Sequence, residues 1–229
     1  MRKTTHLCLA SHDEVLFRSD EDFIRGFNSF AIACRQAEAR ALAEVGMSAP
    51  VHFVVASDNV DEITRLFRYD YTRYFNRKYY REGRLGERKF YDTDIDGVKH
   101  QLAAISYVNR QGLHHGLCST PFGYPHCSSN VIFAEELGKK TATDLLPARS
   151  YYNYMPREKI DLMKGCRMSS NGLFLREDVI DVNYVQELYM TARNYLFYMN
   201  RITNDDWKKE QLADKLAGPV VSIDSIEQH

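Results

Sequence analysis

The run Val51-His-Phe-Val-Val-Ala56 is apolar, rich in β-branched residues and alternates with a period of two. Val51, Phe53 and Val55 share one face, and His52, Val54 and Ala56 the other, which reads as a strand. Thr5 to Ala10 alternates in the same way, with Leu7 and Leu9 opposed to His6, Cys8 and Ala10, and reads as a first strand. Between the two, Ser19-Asp-Glu-Asp22 has the hydroxyl cap and first-turn acids of a helix start. Phe23, Ile24, Phe27, Phe30, Ala31 and Cys34 continue at helical spacing, and the pattern predicts a helix to about Glu44 that stops near Gly46.

A second helix follows the strand at 51–56, with Ile63, Leu66, Phe67, Tyr71, Tyr74 and Phe75 as its stripe. Arg81-Glu-Gly-Arg-Leu-Gly86 breaks it and leads into a short extended piece over 88–91. A third helix, capped by Asp94 or Asp96 and ending at Gly112, would bury Val98, Leu102 and Ile105. Tyr107 then points almost opposite, with His100, Ala103, Ala104 and Gln111 on or beside its face. Periodicity leaves two readings open for it: a hydroxyl with room for a substrate, or one more half-buried tyrosine packed on the sheet.

Beyond Asn130, Pro147, Pro156, Gly165 and Gly172 punctuate a loop-rich connection. Val185, Leu188, Tyr189, Ala192, Tyr195, Leu196 and Met199 mark a further helix, and Asn204 or Asp205 could cap another that carries Trp207, Leu212 and Leu216. We therefore expect a first domain over residues 1–133 and a helical accessory region over 134–229.

The formal net charge of -1 does not mark a nucleic-acid binder, but its distribution is uneven. Between Ile63 and Tyr91, Arg65, Arg68, Arg73, Arg77, Lys78, Arg81, Arg84, Arg88 and Lys89 face only Asp70, Glu82 and Glu87, and nine aromatic residues are interleaved among them. Cations that neutralise phosphates beside rings on which bases stack suit a single-strand groove. Arg73, Arg77, Lys78, Arg81 and Arg84 are the candidates for phosphate contact. The same pattern also suits an amphipathic helix with its rings in the core. No apolar run approaches the roughly 18 to 20 residues that cross a bilayer, and the opening residues lack an apolar signal core, so we expect a cytoplasmic protein without a membrane partner. Five cysteines without a C-x-x-C pair are expected to be reduced thiols.

Three stretches carry a family resemblance. Met47-Ser-Ala-Pro-Val-His-Phe-Val-Val55 is similar to a pattern close to M-P-N-H-V-H-L-L-V. Tyr74-Phe-Asn-Arg-Lys-Tyr79, with Gly83 and Phe90, is similar to f-N-x-x-y-x-r-x-G-x-l-x-x-x-r-f. The segment from Tyr107 to Pro121-Phe-Gly-Tyr-Pro-His-Cys-Ser-Ser129 is similar to Y-I-x-x-N-P-v-x-x-G-l-v-x-x-P-x-d-Y-x-w-S-S. Together they resemble the single-tyrosine HUH transposases, especially the REP-associated tyrosine transposases, over residues 5 to 130. The resemblance implies an α+β fold, a ferredoxin-like antiparallel sheet flanked by helices, here with a mainly helical C-terminal extension. It also implies a Tyr107 nucleophile that forms a 5'-phosphotyrosine link. A divalent metal, Mg²⁺ or Mn²⁺, would be held by His52 and Gln111, and the substrate would be single-stranded or hairpin DNA. Relatives of this kind act as monomers or homodimers.

The sequence departs from the family at Pro50, where the first of the paired histidines would stand, and at Arg110-Gln111, where Asn-Pro is usual. His6 and His100 are the imidazoles placed to replace the missing ligand, although surface positions are the commoner outcome; His114, His115 and His126 also read as surface residues. Two functions follow: a working tyrosine transposase or hairpin endonuclease, or a degenerate, domesticated relative that binds structured single-stranded DNA without cutting it. An α/β interaction domain with no nucleic-acid role is a third.

Overall fold

In the computed structural model, which describes residues 2–11, 14–140 and 142–201, the alternation at 51–56 becomes the centre of an antiparallel sheet. Its strands are β1 (Thr4–Leu9), β2 (Arg40–Gly46), β3 (Val51–Ala56) and β4 (Tyr91–Ile95), in the order β2-β3-β1-β4. Leu7 lies opposite Phe53 and Cys8 opposite His52, so the two alternating patterns are in register. Helices α1 (Asp20–Gln36) and α2 (Val60–Lys78) cover one face, where Phe53 stacks on Phe30 at 4.1 Å and meets Phe67 edge-on at 5.1 Å. Helix α3 (Gly97–Asn109) covers the other, with the short α4 (Gln111–His114) following it. This is a ferredoxin-like α+β arrangement with one added helical layer.

Ser19 caps α1 and its N–H is bound by the Asp22 carboxylate at 3.1 Å, as the cap pattern predicts. The helix does not reach Glu44. It ends at Gln36, Glu38 turns the chain at φ 51°, and residues 40–46 form β2 against β3. Arg40-Ala-Leu-Ala-Glu44 favours a helix by composition, but pairing to the apolar β3 and burial of Ala41 to Gly46 outweigh that preference. A register shift between Ala41 and Ala43 marks a bulge. The second helix follows its pattern: Ile63, Phe67, Tyr71 and Phe75 are buried. The extended piece expected over 88–91 forms instead at Tyr91–Ile95, as β4 along β1.

Asp96 caps α3, but the expected faces are not observed. Val98 is exposed, whereas every residue from Gln101 to Asn109 is buried, Tyr107 included. The physical reason is the region after residue 130, which contains α5 (Arg157–Leu162), α6 (Arg176–Val179), α7 (Val182–Tyr189) and α8 (Ala192–Asn200). Helices α7 and α8 pack on the side of α3 that faces away from the sheet. Tyr189 Oη donates to the Leu102 carbonyl at 2.9 Å, Tyr195 Oη to the Ser129 carbonyl at 3.0 Å, and Tyr184 Oη to Gln101 Oε1 at 3.0 Å. The helix expected over 185–199 is thus two, broken at Met190 (φ 64°), with Thr191 accepting from the Asn194 N–H as the new cap. The predicted helix at Trp207 lies outside the described residues. Among the described residues no helix is long and apolar enough to cross a membrane, and all five cysteines are free thiols, four of them buried.

Candidate tyrosine site and nucleic-acid interface

Strand alternation sends His6 and His52 to the α3 side of the sheet. His6 Nε2 lies 3.0 Å from His52 Nδ1, and the rings stack with centroids 5.2 Å apart. Tyr107 comes down from α3 and presents its ring edge-on to both, at 5.9 Å from His6 and 6.2 Å from His52. Relative exposures of 2% for His6, 0% for His52 and 2% for Tyr107 close the cluster to solvent. Burial holds the His6 pKa well below the ordinary histidine value, with added repulsion from His52 and His100. His115, just past α4, is pushed down to about 4, chiefly by burial and then by His114 and His52. Gln111 is fully buried at the start of α4.

The structure brings together Tyr107, His52 and His6. Of the two readings left open for Tyr107, its burial fits the packed one, because α3 is enclosed on both sides. One expectation is corrected. His6 and His115 are not surface residues: His6 faces α3 across the sheet, and His115 is partly buried within electrostatic reach of His52. His126 is likewise partly covered, stacked on Phe23 at 3.9 Å, and its pKa is pushed down to about 4 by burial and Arg176.

The donor set does not fit Mg²⁺ or Mn²⁺. Such cations need several oxygen ligands and retained waters, but position 50 offers a proline and the cluster is closed. His52 Nδ1 and His6 Nε2 face one another within hydrogen-bond distance. Among the described residues no group of three His, Cys, Asp or Glu side chains is placed to hold a metal.

The basic candidates lie across the sheet, on α2 and the loop after it, and they divide into two sets. Lys78 is engaged with Glu21, Asp22 and Ser19, and Arg81 with Glu14 and Asn76. Arg73, Arg77 and Arg84 are exposed, and no ion pair joins them to a carboxylate among the described residues. Arg73 and Arg84 border an open hollow of about 460 Å³ together with Arg65, Arg68, Tyr69 and Thr72. These last four were not singled out in the sequence as contacts, although Arg65, Tyr69 and Arg73 recur at four-residue spacing on one helix face.

No protein-family model matches the chain, and neither does any curated protein. Among solved structures, a REP-associated tyrosine transposase bound to a REP hairpin superposes with a TM-score of 0.50 at 13% identity, covering 60% of this chain and 83% of that one. The chain shares the fold of that transposase at a distance. At that identity the likeness extends to the fold.

Proposed function

We propose that the protein binds hairpin-forming single-stranded DNA and that Tyr107 serves it as a structural residue, not a nucleophile. Residues 1–133 carry this role, with 134–229 as an accessory region whose α7 and α8 buttress α3. The burial of Tyr107 carries the reading. Attack on a phosphodiester requires the hydroxyl oxygen roughly 3–3.5 Å from phosphorus and in line with the leaving oxygen, and a side chain 2% exposed offers no approach for a strand. DNA binding is supported by the fold shared with a hairpin-bound transposase and by the exposed Arg73, Arg77 and Arg84.

One observation favours cleavage as a second reading. Tyr107 stays edge-on to His52 at 6.2 Å. In that case the 111–115 segment would have to swing out to admit a strand to the Tyr107 hydroxyl.

Labelled single-stranded hairpins incubated with Mg²⁺, Mn²⁺ or EDTA decide between the two, with the intact protein compared to Tyr107→Phe. We expect binding that weakens with salt along a log–log slope of about -2 to -3 for three neutralised phosphates. We also expect equal binding by Tyr107→Phe and no denaturant-resistant adduct. A metal-dependent adduct lost in Tyr107→Phe would establish the cleavage reading. Failure to bind any hairpin at low salt would remove the DNA-binding reading.

A further inference from the structure

We infer that the hollow on the outer face of α2 holds one unpaired nucleobase together with its flanking phosphates. The inference rests on the DNA-binding reading above and specifies where the unpaired part of the ligand sits. Arg65, Arg68, Tyr69, Thr72 and Arg73 fall at positions i, i+3, i+4, i+7 and i+8, the face of α2 opposite its buried stripe of Ile63, Phe67, Tyr71 and Phe75. Arg84 closes the rim from the following loop.

Tyr69 is 63% exposed, a large ring left in water although its helix neighbours Phe67 and Tyr71 are wholly buried. The cations around it are not equivalent. Arg65 is held by Glu62 through bonds of 2.7 and 2.8 Å. Arg68 donates to the Leu85 carbonyl at 3.1 Å and sits over the Phe90 ring at 5.3 Å. Arg68 is thus built into the wall, and Arg65, though exposed, is engaged by a carboxylate of its own helix. Arg73 and Arg84 are exposed and make no ion pair with a described carboxylate, although Arg84 Nε donates to the Gly86 carbonyl at 3.4 Å, so two cations without a carboxylate line the same hollow as one open ring. A base with its two phosphates matches that set, because guanidinium groups take the phosphates and the π-face of any base covers the ring. An acidic peptide would satisfy the arginines but leave Tyr69 uncovered.

Phe53 packs toward α2, whereas His52, its neighbour in β3, faces Tyr107. The hollow and the tyrosine are therefore on opposite sides of the sheet, and a base held against Tyr69 is out of reach of the Tyr107 hydroxyl.

The test uses the full chain and three fluorescent probes: a blunt hairpin, the same hairpin with a short unpaired thymidine tail, and that hairpin with an abasic tail. The thymidine tail should tighten binding and the abasic tail should lose most of the gain. Tyr69→Ala should weaken binding of the tailed hairpin roughly 5- to 150-fold, the range for loss of one base–aromatic stack, while leaving the blunt hairpin unchanged. Tyr69→Phe should retain the gain, and Arg84→Ala should reduce the salt slope on the tailed probe. A 2-aminopurine in the tail should be quenched by the intact protein and not by Tyr69→Ala. Equal binding of all three probes, an unaffected Tyr69→Ala variant, or displacement by polyglutamate as effective as by oligothymidine would overturn the inference and leave hairpin binding standing. Failure to bind even the blunt hairpin would instead remove the DNA-binding reading on which it rests.

Discussion

His6 Nε2 lies 3.0 Å from His52 Nδ1 across the β1–β3 pair, beneath the ring of Tyr107. The two imidazoles are hydrogen-bond partners at positions with 2% and 0% exposure, so the pair links β1 to β3 as a buried polar contact, and its rings pack against Tyr107 of α3. His52→Ala should remove both the bond and the ring, costing about 2–4 kcal/mol of stability. Urea unfolding measures this. A loss under about 1 kcal/mol would mean that the cluster contributes little to the fold.

Asp22 joins α1 to the end of α2. Its carboxylate is wholly buried and accepts from the Arg18 and Ser19 N–H groups, from the hydroxyls of Tyr74 and Tyr79, and from Lys78 Nζ, at 2.7 to 3.1 Å. Asp22→Ala should destabilise by about 2–4 kcal/mol, since charge-assisted bonds are lost and two phenols lose their acceptor. Asp22→Asn should cost less. Equal stability of the alanine variant in thermal melts would contradict this.

Gly112 lies in α4, where a Cβ would fall 2.4 Å from Tyr124 Cβ. Tyr124 is anchored by its hydroxyl to the Gly46 carbonyl at 2.8 Å and has little freedom to withdraw. Alanine would gain about 1 kcal/mol of helix propensity, but the clash should cost about 1–3 kcal/mol and reverse that gain. A melting temperature above that of the unaltered protein would show that the contact yields.

Acid should destabilise the fold before its carboxylates titrate. His115 and His126 have folded pKa values near 4 and His6 is also depressed, against about 6.5 in the unfolded chain. Between those values the unfolded chain binds the extra protons, so the stability linked to these groups is complete above about pH 6.5 and declines as pH falls towards the folded values. Glu44 is raised by burial against the pull of Arg176 and acts in the opposite sense, but it is one group against four, since burial also lowers His114. Urea midpoints at pH 7.5 and 5 provide the check, and equal midpoints would count against buried neutral imidazoles.

Where one side of an element faces the core and the other faces water, the residues announced it. The stripe of α2 and the alternation of β1 and β3 placed Phe67, Tyr71, Leu7 and Phe53 correctly because the contrast between their faces is encoded locally. Arg40 to Gly46 has no such contrast. Its alanines suit a helix, and only pairing with β3 makes it a strand.

The orientation of Tyr107 was not readable from α3 for a related reason. Gln101, Ser106 and Asn109 look like a solvent face, yet each meets a tyrosine hydroxyl from α7 or α8, more than eighty residues later in the chain. The sequence by itself determined the two outer helices, the central strands and which residues could carry charge or chemistry, because period and side-chain type are properties of neighbours along the chain. The tertiary structure decided that His6 joins His52, that Tyr107 is enclosed and that Tyr69 stays open between arginines, because burial depends on what a distant segment covers.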